Sequence, residues 1–425
     1  MAPAPWIPVG VTVTTPMFLA PGPDARSELR MPGIRGAARF WFRALAAPVF
    51  GDDYAALARA ESEVFGTAGG RYDETRIGPS PVALRLVRPP TLDPPPSKKD
   101  LRSPGWLRLR PDAERRTHGI GYLLGQGLFL PPSPNENREH PELARPHHIP
   151  AGATGTFAVR IGARDDPSFA DYVGEVTGIS LWALATFGGL GARVRRGFGG
   201  VGFAGLEQLC GVIGESTDAE PSRDHPAILR LHELVAERHG HRPLLRRSSP
   251  RPLGTSGAWP TAPTWARWHI LLSKQTGSWP QLLHHAGFRL REFRAPVDRG
   301  PEFNAFKRWV TREYVDAVVP TLKGQHPDGR DFAIGSFGLP VVFGKDAEVK
   351  LRRGRDELRR ASPLWIRVHQ DPDGRCRLLY HVFEATIGPA NATLDLETRR
   401  RPPEHLHLDE AMTYRTIAEF LATAP

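Results

Sequence analysis

The chain of 425 residues has two cysteines, Cys210 and Cys376, and no Cys-x-x-Cys pair. That argues against a zinc ribbon and a disulfide framework and fits a reducing compartment. Lysine is scarce: of the 56 basic residues seven are lysine, and the rest are arginine. A GC-rich genome is sufficient to produce that bias, so the ratio alone identifies no partner. No apolar run reaches the ~18–20 residues that span a bilayer. The first residues, MAPAPWIPVG, hold no basic segment followed by an apolar stretch. No membrane span and no secretory signal are therefore expected, and a cytoplasmic location is. No His-Asp dipeptide and no Gly-Gly-Asp-Asp polymerase motif occur. What is abundant is positive charge: the formal net charge is +10 and the pI about 10.0. This favours an anionic partner, a nucleic acid or an acidic membrane surface. The length allows two or three domains. The 10 Trp and 20 Phe can fill real cores, while 43 Pro and 43 Gly predict long loops.

Glycine and arginine are most concentrated at 188–200, GGLGARVRRGFGG. Glycine permits positive φ and close backbone approach. Arg193, Arg195 and Arg196 add planar donors suited to phosphate oxygens. The segment is not a P-loop, because Phe198 follows Gly197 and no Lys-Ser or Lys-Thr pair is present. It is not a dinucleotide loop either, because it follows a helical pattern (Phe169 to Phe187) and precedes a strand-like one (Gly200 to Leu206). On composition alone, a helix-to-strand turn with solvated arginines accounts for it equally well.

Around this loop the pattern predicts a strand in Val9 to Leu19, helices over 33–46 and 54–65, and strands at 81–87 and 154–161. The long helix and the strand after the loop complete a β-α-β-β-α-β order, the ferredoxin-like (RRM-like) arrangement. Residues 89–118 and 131–148 are rich in proline and charge and read as insertions. Residues 214–262 read as a linker with one helical piece near Ile228 to Arg238. A second unit begins with a strand at Trp265 to Leu272. Helices over 279–292 and 303–318 follow. An antiparallel pair, 363–369 and 377–385, turns at Asp371-Pro372-Asp373-Gly374. A last helix covers 409–422. The expected fold is α+β: two ferredoxin-like domains, 1–213 and 263–425, joined by 214–262.

Arg35, Arg39 and Arg43 recur every four residues and form one stripe of the first helix. Such a stripe beside aromatics can track a phosphate backbone. It is equally a solvated face, or a stripe paired with acids elsewhere. Two segments carry a resemblance. Thr15-Pro16-Met17-Phe18-Leu19 is followed by Arg30, Pro32, Ile34, Arg35, Gly36, Arg39, Phe40, Trp41 and Arg43, and then by Glu61, Phe65 and Gly66. This resembles the N-terminal signature of the RAMP superfamily of CRISPR-associated proteins, and 188–200 resembles that family's glycine-rich loop. Phe337-Gly338-Leu339-Pro340 and Arg359-Arg360-Ala361-Ser362-Pro363-Leu364 are similar to segments of one RAMP branch, the first-numbered RAMP subunits of the type III-B (Cmr) RNA-guided effector.

The resemblance implies two ferredoxin-like RAMP domains in a non-catalytic subunit. It implies a place at the head of the complex near the 3′ end of the guide RNA. The partners implied are guide RNA, target RNA and other RAMP subunits. Arg30, Arg35, Arg39, Arg43, Arg193, Arg195 and Arg196 would face RNA, with Gly189, Gly191, Gly197 and Gly199 shaping the loop. The residues themselves show no catalytic constellation. His147-His148, His284-His285 and the pair His405 and His407 lack companion motifs. Asp52-Asp53 and Asp165-Asp166 read as solvated turns, so no metal and no cofactor are expected. Two alternatives stay open: a RAMP endoribonuclease that processes guide RNA, and a scaffold subunit of another type III complex.

Overall fold

The computed structural model describes residues 4–19, 27–67, 71–72, 75–76, 79–109, 118–125, 127–162, 166–216, 219–241, 252–255, 259–295, 297–298, 309–345, 347–399 and 401–423. The N-terminal half starts with β1 (Ile7–Val13), whose Val9, Val11 and Val13 are buried while Pro8 and Thr12 are exposed. Helix α1 (Met31–Phe50) has Pro32 in its first turn. Its Ile34, Ala38, Trp41, Phe42, Leu45 and Val49 form a buried stripe at three-to-four spacing. Helix α2 (Tyr54–Phe65) is capped by the Asp53 carboxylate, which accepts from the Ala56 amide at 2.8 Å. Then come β2 (Val82–Thr91), β3 (Thr154–Ile161), α3 (Pro167–Phe187) and β4 (Val201–Ala204). The strands form one antiparallel sheet in the order β2-β3-β1-β4. Among the described residues the helices pack on one face, around a core that includes Val9, Trp41, Phe157 and Val176.

The segment 214–262 is not a plain linker. It contains α4 (Pro226–His239), whose Ile228, Leu231 and Val235 lie in the N-terminal core. His232 Nε2 bonds the Leu45 carbonyl of α1 at 2.8 Å. This is the helical piece expected near Ile228 to Arg238; what the proline-, serine- and arginine-rich flanks hide is its packing into the first half. Residues 217–218, 242–251 and 256–258 of the segment lie outside the described residues. The described parts of the proline-rich stretches also pack: Leu107 and Leu143 are buried with the short helix Gly119–Leu124 in a second core. Residues 110–117 lie outside the description.

The C-terminal half runs β5 (Trp268–Gly277), α5 (Trp279–Arg294), β6 (Val341–Phe343), β7 (Ala347–Arg353), β8 (Leu364–Gln370), β9 (Cys376–Phe383), β10 (Thr393–Thr398), β11 (Glu404–His407) and α6 (Glu410–Thr423). The hairpin β8–β9 turns at 371–374, where the Asp371 amide donates to the Arg375 carbonyl at 2.8 Å. Among the described residues its sheet has three strands, β8-β9-β5. Among the described residues no fourth strand joins it. A further sheet of Arg330–Asp331, β11, β10, β7 and β6 is present. It has its own core of Phe332, Val349, Leu351, Leu394 and Leu396. Of the helix expected over 303–318, residues 303–308 lie outside the description, while Trp309–Val310 pairs with Val297–Asp298 and helical turns occupy 314–322. No helix among the described residues is long and apolar enough to cross a membrane. Trp268, Leu379 and Phe383 of the C-terminal half belong to the N-terminal core, so the halves share a hydrophobic centre.

Burial pushes the His148, His225 and His232 imidazoles down to about 4, and that of His381 down to about 3. In the unfolded chain they titrate near their ordinary value of ~6.5. Below that pH the unfolded chain binds protons that the folded chain refuses, so stability is full above about pH 6.5 and falls as acid is added. The thermal midpoint is expected to hold between pH 7 and 8 and to drop steadily towards pH 4.5. A flat midpoint down to pH 5 in a thermal scan would contradict this burial.

Candidate nucleic-acid interface

The stripe on α1 divides into two groups. Arg30, at the helix N-cap, is exposed, with its Nε 3.3 Å from Glu28 Oε2. Arg35 Nη2 donates to the Val82 carbonyl at 2.9 Å, tying α1 to the start of β2. Arg39 Nε and Arg43 Nη1 both donate to Glu61 Oε1 on α2, the second at 2.6 Å. Glu61 is only 4% exposed, and a carboxylate so buried needs such partners. Phe40 and Trp41 are not free platforms. Trp41 is buried, with the rings of Phe187, Trp268, Trp365, His381 and Phe383 each centred 5.8–5.9 Å away. Phe40 stacks on Trp365 at 5.9 Å.

The glycine-arginine loop folds tightly on the Thr15–Phe18 segment. The Ala192 amide donates to the Phe18 carbonyl and the Gly199 amide to the Pro16 carbonyl, each at 2.9 Å. The Gly200 amide donates to Thr15 Oγ1 at 2.8 Å. Two glycines are required outright. At Gly199 (φ +70) a Cβ would sit 2.0 Å from the Leu190 carbonyl oxygen, and at Gly191 (φ +92) one would sit 2.4 Å from that of Phe18. Gly189 and Gly197 line the same close contacts, against the Gly199 carbonyl and Leu283. The amides of residues 190, 192, 199 and 200 are thus engaged inside the protein.

Two of the three loop arginines reach the C-terminal half. Arg195 Nη1 donates to the Ser362 carbonyl at 2.5 Å, and its guanidinium lies 4.7 Å from the Trp365 ring centre. Arg196 Nη2 donates to the Phe337 carbonyl at 3.3 Å. The Ile366 amide of β8 donates to the Arg195 carbonyl at 3.2 Å, so the loop runs along that strand. Burial lowers both arginines to about 10, with Arg360 adding repulsion at Arg195 and Arg294 at Arg196; both remain charged at neutral pH. Arg193 (φ +64) is exposed.

A cation also crosses in the opposite direction. Arg367 of β8, 4% exposed, donates through Nη2 to the carbonyls of Ala185 and, at 2.9 Å, Val201. His381 Nε2 donates to the Phe187 carbonyl at 2.8 Å, and its Nδ1 accepts from Trp268 Nε1 at 3.2 Å. Ala185 and Phe187 lie in the last turn of α3, whose carbonyls lack helical partners. Sequence reasoning missed Arg367; its signal is a lone charge in the apolar run Leu364-Trp365-Ile366-Arg367-Val368. Leu339 and Arg360 complete the junction, the Leu339 amide donating to the Arg360 carbonyl at 2.8 Å. The Thr15–Phe18 segment, the glycine loop and both C-terminal motifs therefore meet in one place.

Among the described residues no group of three or more His, Cys, Asp and Glu could hold a metal. His405 Nδ1 sits 2.8 Å from Asp395 Oδ1, and His407 Nδ1 2.8 Å from Asp331 Oδ1, both on the inserted sheet. His148 is buried beside Phe18, and His284 and His285 lie on α5.

The sequence profile of the RAMP superfamily matches residues 11–201. The chain is similar to CRISPR system Cmr subunit Cmr1-1 of Pyrococcus furiosus, with 26% identity over 376 residues, 85% of this chain and 82% of that protein. It is also similar to Cmr subunit Cmr1-2 of the same organism, with 25% identity over 199 residues, 46% of this chain and 93% of that one. The apo crystal structure of Cmr1 from Pyrococcus furiosus shares the fold at 18% identity, with a TM-score of 0.50 over 99% of this chain and 97% of that one.

Arg367→Ala leaves the Ala185 and Val201 carbonyls without their donor. At roughly 1–3 kcal/mol for each buried group left unpaired, the thermal midpoint is expected to fall clearly. Arg367→Lys should recover only part, because one ammonium lacks the planar fork. An Ala variant as stable as the parent would mean that the junction does not hold the halves together.

Proposed function

We propose, on the premise that its residues 11–201 form a RAMP-superfamily unit, that this chain is a non-catalytic RNA-binding subunit of a type III-B (Cmr) CRISPR effector complex. In this reading it sits in the cytoplasm at the head of the complex, near the 3′ end of the guide RNA, and holds guide or target RNA against neighbouring RAMP subunits. The observation that carries the reading is the likeness to a Cmr subunit, which takes in both halves of the chain. The N-terminal strand order, with helices on one face, supports a ferredoxin-like RAMP domain. We read the C-terminal half, 263–425, as a three-stranded variant carrying an inserted sheet, and α4 as an extension of the first domain beyond 1–213.

Within this reading the candidate arginines have two roles. Arg30, Arg35 and Arg193 are the RNA-facing group. Arg39, Arg43, Arg195 and Arg196 position the helix and the loop, and Gly189, Gly191, Gly197 and Gly199 let the loop fold close. A second reading, a scaffold subunit that binds proteins rather than RNA, is favoured by the internal engagement of those four arginines. The two readings differ in salt dependence. Replacing Arg30, Arg35 and Arg193 together by Ala should weaken single-stranded RNA binding and flatten the log–log salt slope by about 2, at ~0.7 per phosphate contact. An unchanged slope in a chain that still joins the assembly favours the scaffold. A processing nuclease would instead cut repeat RNA unaided and lose that activity with one histidine substitution, His405 being the first to test beside Asp395.

The decisive experiment is affinity purification of the tagged protein from its native host, with sequencing of bound RNA. Guide RNAs recovered together with several RAMP subunits are the expected result. The protein recovered alone and free of RNA would overturn the proposal.

A further inference from the structure

Among the described residues the N-terminal sheet has helices on one face only, and its other face is open. Pro8, Thr12, Arg85, Thr154 and Ala204 are exposed there, and Val87 is 56% exposed. Between them the half-buried Gly10 and Gly202 provide a floor almost without side chains, set beside Ala204 and Thr12 by the pairings Gly10↔Ala204 and Thr12↔Gly202. One large ring stands beside this floor. Trp6 immediately precedes β1, and the guanidinium carbons of Arg85 on β2 and Arg160 on β3 lie 4.5 and 4.7 Å from its ring centre.

Neither guanidinium has a carboxylate partner among the described residues. This sets them apart from Arg39, Arg43, Arg230 and Arg377, each of which is paired with an acid. Two cations share one ring and so lie within about a Debye length of each other. A cation–π contact at an exposed site returns only ~0.5–1 kcal/mol, so each charge retains most of its capacity to bind an anion. An aromatic ring, two unpaired guanidiniums and a flat floor of small residues on an open sheet are together the chemistry that takes a single-stranded nucleic acid. Bases lie on the ring and the floor, and phosphates meet the guanidiniums.

We propose that this helix-free face is a second RNA-contact surface, separate from the loop and α1, which binds single-stranded RNA through Trp6 with Arg85 and Arg160 on its phosphates. The proposal rests on the reading that the chain binds RNA. The test is a fluorescence-anisotropy titration of a labelled single-stranded RNA with the full chain, across a salt series. The variants are Trp6→Ala, Trp6→Phe, the double Arg85→Gln/Arg160→Gln and the triple Arg30→Ala/Arg35→Ala/Arg193→Ala. Trp6→Ala should weaken binding about tenfold, within the range of one lost base stack, and Trp6→Phe should retain most of it. The double variant should flatten the salt slope by about 1.4, at ~0.7 per contact.

Unchanged affinity and slope in Trp6→Ala and in the double variant, with the triple variant weakened, would overturn the proposal and leave the RNA-binding reading standing. If the parent chain binds no RNA, that reading falls and this one falls with it. Should Trp6→Ala unfold, 4-thiouridine crosslinking of the parent chain decides. Crosslinks to Trp6 or to peptides of β1 to β3 support the surface; crosslinks confined to the loop and α1 overturn it.

Discussion

The carbonyls that end α3 are the constraint on which the rest of the arrangement depends. A helix of 21 residues stops inside the protein at Phe187, and its last carbonyls need donors that the helix cannot supply. Arg367 and His381 supply them from the other half of the chain. Because that end is occupied, the chain must leave α3 sharply, and Gly188 meets the need: a Cβ there would lie 2.4 Å from the Trp41 indole nitrogen. The loop that follows has one route, between the Thr15–Phe18 segment and β8. Glycine allows it through, while Arg195 and Arg196 fasten it to carbonyls on the far side. The halves are joined by guanidiniums on carbonyl oxygens in both directions, around an aromatic centre at Trp41.

This gives the sequence motifs a physical meaning that their spacing does not disclose. The RAMP-like signature holds both Arg39 and Glu61, and the fold pairs them. Gly66, at the end of the same signature, turns the chain at φ +73 where a Cβ would strike the Ser80 backbone at 2.5 Å. Phe337 and Ser362, from two C-terminal motifs, contribute carbonyls rather than side chains to the loop arginines. These motifs therefore encode assembly of the junction first. A ligand surface can only be what remains accessible around it.

How far the sequence could be read follows from the same distinction. Alternation in Val9, Val11 and Val13 and the stripe of α1 are local, so they were legible. The helix–loop–strand order around 188–200 was legible because glycine punctuates it. The partners of the arginines were not, since charge spacing shows that residues share a face and not which acid or carbonyl that face meets. The same holds for the packing of α4, which was legible as a helix but whose buried Ile228, Leu231 and Val235 are embedded in polar flanks, and for the inserted sheet, whose first and last members are more than 70 residues apart. The β8 strand shows the limit most clearly. Arg367 occupies an apolar run where the carbonyls of Ala185 and Val201, 182 and 166 positions earlier, make a charge tolerable.

Positive charge in this protein therefore falls into two classes with different physics. In the first, a guanidinium is buried, its planar fork meets several oxygens at once, and its charge is neutralised by local dipoles or by one carboxylate. Lysine cannot substitute there, because a single ammonium does not present donors in that fixed fork. In the second, the guanidinium stands in water without an acid beside it. Only that class contributes to a field that draws in an anionic polymer and to a salt-dependent affinity. The net charge of +10 sums both classes, so it measures poorly how much charge is left for an anionic partner. Arg193, Arg85 and Arg160 are few beside the total. Under the proposed reading, their lack of a carboxylate partner among the described residues, rather than their number, is what would make an RNA felt at their positions.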